Sequence, residues 1–99
     1  MKRIVEIKGM LKNKKGMLKK QYGVKKIGIF GSYIRGENKI DSDLDVFIEF
    51  DETARIGLLG FVHLENYLSE FLGVKVDLVM KASLKPRIGR RILEEVVYL

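Results

Sequence analysis

Apolar positions recur along this chain with two different periods, and the changes of period mark out six elements. Ile4, Ile7, Met10, Leu11, Met17 and Leu18 recur at helical spacing with lysines between them, which predicts a first helix. Gly9 and Gly16 weaken that helix and are the places where it would break. Tyr22-Gly23 reads as its end, glycine being suited to a left-handed cap. Residues 25–30 read as a short strand, Gly31-Ser32 as the turn that ends it, residues 33–36 as one helical turn and residues 38–42 as a polar loop. From residue 43 to 50 the period becomes two: Leu44, Val46, Ile48 and Phe50 alternate with Asp43, Asp45, Phe47 and Glu49, as in a half-buried strand.

Residues 56–72 carry an apolar stripe of Leu59, Val62, Leu68, Phe71 and Leu72 and predict a second long helix capped by Gly73. Residues 74–80 alternate again, with Val74, Val76, Leu78 and Met80 on one face and Asp77 on the other. A last helix is expected to start near Pro86 with Ser83 as its cap and a stripe of Ile88, Ile92, Val96 and Leu99. Helix, strand, strand, helix, strand, helix is an α/β or α+β arrangement, with a small three-stranded mixed sheet packed against helices.

Composition narrows this picture. The chain has 99 residues, of which 46% are hydrophobic and 32% charged, enough for one core and one domain and too apolar for wholesale disorder. It has no cysteine, which excludes disulfide frameworks, thiolate metal sites and cysteine nucleophiles. No apolar run approaches the roughly 20 residues of a membrane span, and the basic start has no small-residue cleavage site, so a cytoplasmic protein without a membrane partner is expected. The net charge of +6 is unevenly spread. Residues 1–26 set ten Lys/Arg against Glu6 alone, whereas residues 37–52 set seven Asp/Glu against Lys39. The first stretch reads either as a solvated helix face or as a surface for an anionic partner such as nucleic acid; the second reads as an acidic site.

The acidic stretch carries the chemistry. Asp43 and Asp45, two apart at the start of a strand, project from one face with Cα atoms roughly 6.6 Å apart. Asp77 lies on the polar face of a later strand, and in a three-stranded sheet both polar faces coincide. Two carboxylates about 5 Å apart repel by roughly 3 kcal/mol at an effective dielectric of about 20. A pair of Mg²⁺ ions, which prefer hard oxygen ligands, would turn that repulsion into coordination. Metal ions bridged by carboxylates are the equipment of in-line phosphoryl or nucleotidyl transfer. Two other readings compete. Aspartates in a polar loop often bond only their own backbone. Asp41, Asp43, Asp45 and Glu52 also mimic a calcium loop, but Val46 stands where that loop needs glycine.

Gly31-Ser32 adds to this, because a glycine directly after a strand lets the backbone approach a phosphate, and the following N–H groups and serine hydroxyl can donate to it. Gly31-Ser32-x-x-x-Gly36, followed by Ser42-Asp43-Leu44-Asp45 and an apolar strand, resembles the signature of polymerase-beta-type nucleotidyltransferases. The short length resembles their minimal nucleotidyltransferase branch, often encoded beside a HEPN-domain partner in prokaryotic toxin–antitoxin pairs. The resemblance covers residues 25 to 80 or so and implies the nucleotidyltransferase fold. It implies that Gly31 and Ser32 hold a nucleotide triphosphate, that Asp43 and Asp45 bind both metals, and that Asp77 completes the site and helps deprotonate an acceptor hydroxyl. Arg35 matches the basic residue before the second glycine and is assigned either to the nucleotide or to a salt bridge with Glu37. Ile34 stands where the family more often has a small residue.

The expected activity is therefore Mg²⁺-dependent transfer of an NMP, AMP from ATP, to a hydroxyl. A chain this short has no second domain to bind an acceptor, so a HEPN toxin is expected to bring the hydroxyl and to be silenced by the modification. Silencing by contact alone, or transfer to nucleic acid or a small molecule, are the alternatives. His63, the only histidine, reads as a helix-face residue rather than a ligand, and Phe47 as a sheet-face residue near the carboxylates that would border a base or ribose. Arg87, Arg90 and Arg91 read as a helix surface paired with Glu94 and Glu95.

Overall fold

In the computed structural model, which describes residues 2–99, the chain opens with one unbroken helix, α1 (Ile4–Tyr22). Met1, the first residue of the basic stretch, lies outside the described residues. Gly9 and Gly16 do not break α1, because Ile7, Leu11 and Leu18 are fully buried and their packing outweighs two unfavourable helix positions. Gly23, at φ 72°, ends the helix in the left-handed cap that the sequence predicts.

The elements that follow are β1 (Val24–Phe30), α2 (Ser32–Arg35), β2 (Leu44–Phe50), α3 (Leu58–Leu72), β3 (Val76–Met80), a short 3₁₀ turn (Lys81–Ser83), α4 (Pro86–Glu95) and β4 (Val97–Tyr98). The sheet has four strands in the order β3-β2-β1-β4 rather than the expected three. β1 runs antiparallel to β2 and β4, while β2 and β3 are parallel, joined through α3. Among the described residues no helix is long and apolar enough to cross a membrane.

The core lies on one face of the sheet. Ile27 and Ile29, Leu44, Val46 and Ile48, and Val76 and Leu78 pack there with the buried leucines of α1 and α3. The irregularity between Val24 and Lys26 shifts the register and returns Val24 to this face. The stripe of α3 is Leu64, Leu68 and Leu72, all fully buried. Leu59 and Val62, expected in it, are 86% and 40% exposed: Leu59 lies in the first turn and Val62 beyond the edge of the stripe. Phe61 and Phe71 pack at its margins.

The other face carries three cross-strand rows: Phe30–Asp45–Asp77, Gly28–Phe47–Val79, and Lys26–Glu49. The C-terminal segment closes over the middle row. A Cβ on Gly28 would come 2.6 Å from Val96 Cγ2, and the Tyr98 ring stands edge-on to Phe47 at 5.9 Å. Phe47 is thus 1% exposed, buried under the C-terminal segment on the face opposite the main core, and is not the wall of a base pocket. Val96 and Leu99 do not extend the α4 stripe; the helix stops at Glu95, and the Leu99 N–H donates to the Ile27 carbonyl at 3.0 Å. Ser83 falls in the 3₁₀ turn, and the N-cap of α4 is Lys85, with Pro86 in the first turn.

β3 is an edge strand, and side chains of α3 take two of its outward N–H groups. Val76 N–H donates to Ser69 Oγ and Leu78 N–H to Glu65 Oε2, each at 2.9 Å. His63, also on α3, accepts or donates through Nδ1 to the Tyr22 hydroxyl at 2.8 Å and stacks on its ring, consistent with a helix-face residue.

Candidate active site

Strand register builds the site. Asp45, the second residue of β2, is the direct neighbour of Asp77 on β3, and Phe30 at the end of β1 flanks it on the other side. Asp43 lies just before β2, where the Leu44 N–H donates to the Lys75 carbonyl at 2.8 Å and pins the strand entry. The expectation that β2 and β3 are adjacent, with Asp45 and Asp77 on the same non-core face, thus matches the observed register. That face is not open along its length, as expected, but only at the end where the carboxylates lie.

Gly31 follows Phe30 at φ 80°, ψ −155°, a region open essentially to glycine alone. A Cβ there would overlap the Asp45 carboxylate, lying 2.9 Å from its Cγ, so the strand end and the carboxylate approach as closely as they do only because residue 31 has no side chain. Ser32 begins the single turn α2, which closes on Gly36 at φ 72°. Ile34 is partly buried, packed against the edge of the core.

Electrostatics mark Asp45 as the stressed member. Burial first, then the charges of Asp77 and Asp43, push its carboxyl up to about 6 from 3.8, with Arg35 partly opposing. Burial, Glu65 and Asp43 likewise raise Asp77, and Lys75 opposes. The Tyr33 hydroxyl is raised by desolvation and by Asp43, which places the phenol against the same charge cluster. An open cleft of about 410 Å³ beside Asp43 is bordered by Tyr33, Ile40, Ser42, Lys75 and Lys2.

Arg35 is brought to the rim but is held by two carboxylates, Glu37 Oε1 at Nε and Glu95 Oε1 at Nη1, both at 2.6 Å. The Glu37 bridge was legible in the sequence; the Glu95 contact was not, because it spans 60 positions and depends on β4 drawing the end of α4 to the site. Among the described residues Glu95 forms no ion pair with the arginines of its own helix. Sequence reasoning also missed Tyr33, Glu65 and Ser69. For Glu65 and Ser69 the only signal was their i, i+4 spacing on the α3 side facing β3.

None of Asp43, Asp45 and Asp77 has a Lys or Arg nitrogen within 4.0 Å among the described residues, so their charge is uncompensated by ion pairing. The donors are hard oxygens, which fit Mg²⁺. Among the described residues no three acidic or histidine side chains are already gathered about one point. Mg²⁺ seldom needs such a cage, since it commonly binds through one or two carboxylates with substrate phosphates and water completing its shell.

Asp45 and Asp77 on neighbouring parallel strands thus set hard-oxygen donors beside a glycine turn whose backbone is open to close approach. The chain belongs to the nucleotidyltransferase domain family, whose model matches residues 11–99. The protein adenylyltransferase MntA of Thermococcus cleftensis is 50% identical over 95% of this chain and 93% of its own length. A candidate protein adenylyltransferase of Methanocaldococcus jannaschii, MJ0128, is 49% identical over the whole of both chains. A solved structure described as a candidate minimal nucleotidyltransferase is 34% identical and superposes with a TM-score of 0.74 over 96% of this chain and 90% of that one. A toxin–antitoxin structure with AMP-PNP, 23% identical, shares the fold with a TM-score of 0.71 over 87% of this chain and 69% of that chain.

Proposed function

We propose that this chain is a single-domain, Mg²⁺-dependent adenylyltransferase that moves AMP from ATP onto a hydroxyl of a partner protein in the cytoplasm. The observation that carries the reading is the Asp45–Asp77 register, with Asp43 at the strand entry and Gly31 against the Asp45 carboxylate. A protein acceptor is supported by relatives that are named protein adenylyltransferases. A HEPN toxin as that acceptor, with this chain as its antitoxin, is supported by the Gly31-Ser32 and Asp43-x-Asp45 resemblance and by the fold shared with a toxin–antitoxin structure.

Asp43, Asp45 and Asp77 would hold the metal, two ions in the full complex. Mg²⁺ bound there would offset the charge of the triphosphate and of the transferring phosphorus. Gly31 lets the backbone approach the triphosphate, and the Ser32 hydroxyl donates to a phosphate oxygen. Arg35 adds its charge once nucleotide competes with Glu37 and Glu95 for it. The acceptor oxygen forms a bond to the α-phosphorus as the bond from that phosphorus to the α,β-bridging oxygen breaks, and pyrophosphate leaves with that oxygen. The Asp77 carboxylate would take the hydroxyl proton as base.

The test is incubation with α-labelled ATP, Mg²⁺ and a HEPN-domain protein encoded beside this chain. Label should appear on that protein. Asp77→Asn should cut transfer by about 10²-fold or more while weakening binding of a non-hydrolysable ATP analogue less than Asp43→Asn does. An Asp43→Asn variant that still silences the toxin would replace catalysis with contact. Label found only on RNA or a small molecule would reassign the acceptor.

A further inference from the structure

We infer that the lysine-bearing flank of α1, on which Lys12, Lys15 and Lys19 are exposed and Lys8 half-buried, is a binding surface for the phosphate backbone of a nucleic acid, separate from the carboxylate site. At about 100° per residue, Lys8, Lys12, Lys15 and Lys19 fall within an arc of roughly 60°, and at about 1.5 Å per residue they form a stripe about 16 Å long. Consecutive members stand three or four residues apart, about 5–6 Å along the axis, a spacing that lets each reach a different phosphate of one strand. None of the four is in an ion pair among the described residues; Lys15 also donates to the Leu99 carbonyl at 2.6 Å. Glu6, the one acid of α1, lies about 150° round the helix from the centre of the stripe.

The rest of the face selects the kind of polyanion. Beside the lysines, Gly9 and Gly16 lie seven residues apart, and a Cβ on either would meet nothing within 4 Å. Packing inside this chain therefore gives no reason for glycine at two positions where alanine would make a more stable helix. Bare backbone there lets an extended polymer lie close between the side chains. Among the described residues Val5 is the only large apolar side chain exposed on α1. A membrane-surface helix needs an apolar face, and a protein interface needs aromatic or aliphatic anchors; this face has neither. A phosphodiester backbone, which asks only for spaced cations, is the partner it fits.

The experiment is fluorescence anisotropy of the full chain with a labelled mixed-sequence oligomer of about 20 nucleotides, as single-stranded RNA, single-stranded DNA and duplex DNA, in KCl from about 50 to 200 mM. Four lysine contacts predict a slope of log K against log salt of about −2.8 on single strands and about −3.6 on duplex. Lys12→Gln/Lys19→Gln should reduce the single-strand slope by about 1.4 and weaken binding at low salt about tenfold or more. Arg87→Gln/Arg91→Gln, which removes as much charge from α4, should leave the slope unchanged. Binding of the ATP analogue should be parental in both variants, so this outcome is independent of the proposed transfer reaction. Binding to any of the three oligomers with these slopes supports the surface, and a preference names the strand it reads. A flat salt dependence, an equal loss in the α4 variant, or displacement by polyglutamate as effective as by unlabelled RNA overturns it.

Discussion

Replacing Asp45 by asparagine should stabilise the metal-free protein at neutral pH while destroying its proposed metal site. Burial, with Asp77 and Asp43, raises the folded-state carboxyl to about 6 from 3.8. A carboxyl whose proton affinity rises on folding favours the fold when protonated. Its penalty is absent below the unfolded value, grows between 3.8 and about 6, and is complete above that. A tenfold change in proton affinity is worth 1.36 kcal/mol, which sets an upper figure of about 3 kcal/mol at pH 7. The carboxyl is only half-buried, so solvent screening reduces this to about 1 to 1.5 kcal/mol. Asparagine never ionises and avoids the penalty. Urea unfolding in EDTA should therefore show the variant about 1 kcal/mol more stable than the parent at pH 8 and equal to it near pH 3.5. Adding Mg²⁺ with a non-hydrolysable ATP analogue should reverse the order, since ligand that binds only the folded parent stabilises it by mass action. A variant less stable than the parent at pH 8 in EDTA, or a difference that does not change with pH, would refute the account of Asp45 as a repelled carboxylate.

Gly31→Ala should lose about 1 to 3 kcal/mol of stability from backbone strain and also lose nucleotide transfer, because the new Cβ displaces the Asp45 carboxylate; circular dichroism melts and the label-transfer assay read the two effects separately. Ser32→Ala should weaken binding of the ATP analogue by about 1 to 3 kcal/mol, the loss of a hydrogen bond to a charged group, and equal affinities by calorimetry would return residue 32 to an ordinary turn. Gly16→Ala should raise stability by about 0.5 to 1 kcal/mol, since its Cβ enters open space; a lower melting temperature would show a contact that the fold does not contain.

The parts of the fold legible in the sequence are those held by local periodicity. β2 alternates because one face is core, and Gly23 and Gly73 stand at helix ends because a left-handed residue is needed there. The adjacency of Asp45 and Asp77 followed from the same alternation once both strands had to share one core. β4 was not legible. Two residues make no period, and Val96, Val97 and Leu99 read equally well as the continuation of a helix. That omission carried two others with it. Without β4 nothing covers Phe47, so it looked like a site residue, and nothing brings Glu95 to Arg35. The stripe of α3 was misplaced at its start because Leu58 and Leu59 are as apolar as the buried leucines and only tertiary packing separates them.

The two bonds from α3 to β3 bear on how any other protein can approach. An unpaired strand edge is a template on which a foreign strand can be added, whether by a recognised peptide or by an aggregating neighbour. Here the outward amides of Val76 and Leu78 are already taken by Ser69 and Glu65, along the strand that holds Asp77. The opposite margin is β4, with two residues, too short to seed pairing. Main-chain zippering is thus hindered along β3 and has little length to use at β4. On the proposed reading, recognition of the partner protein then falls to side chains on the surface around the carboxylates rather than to the backbone of the sheet.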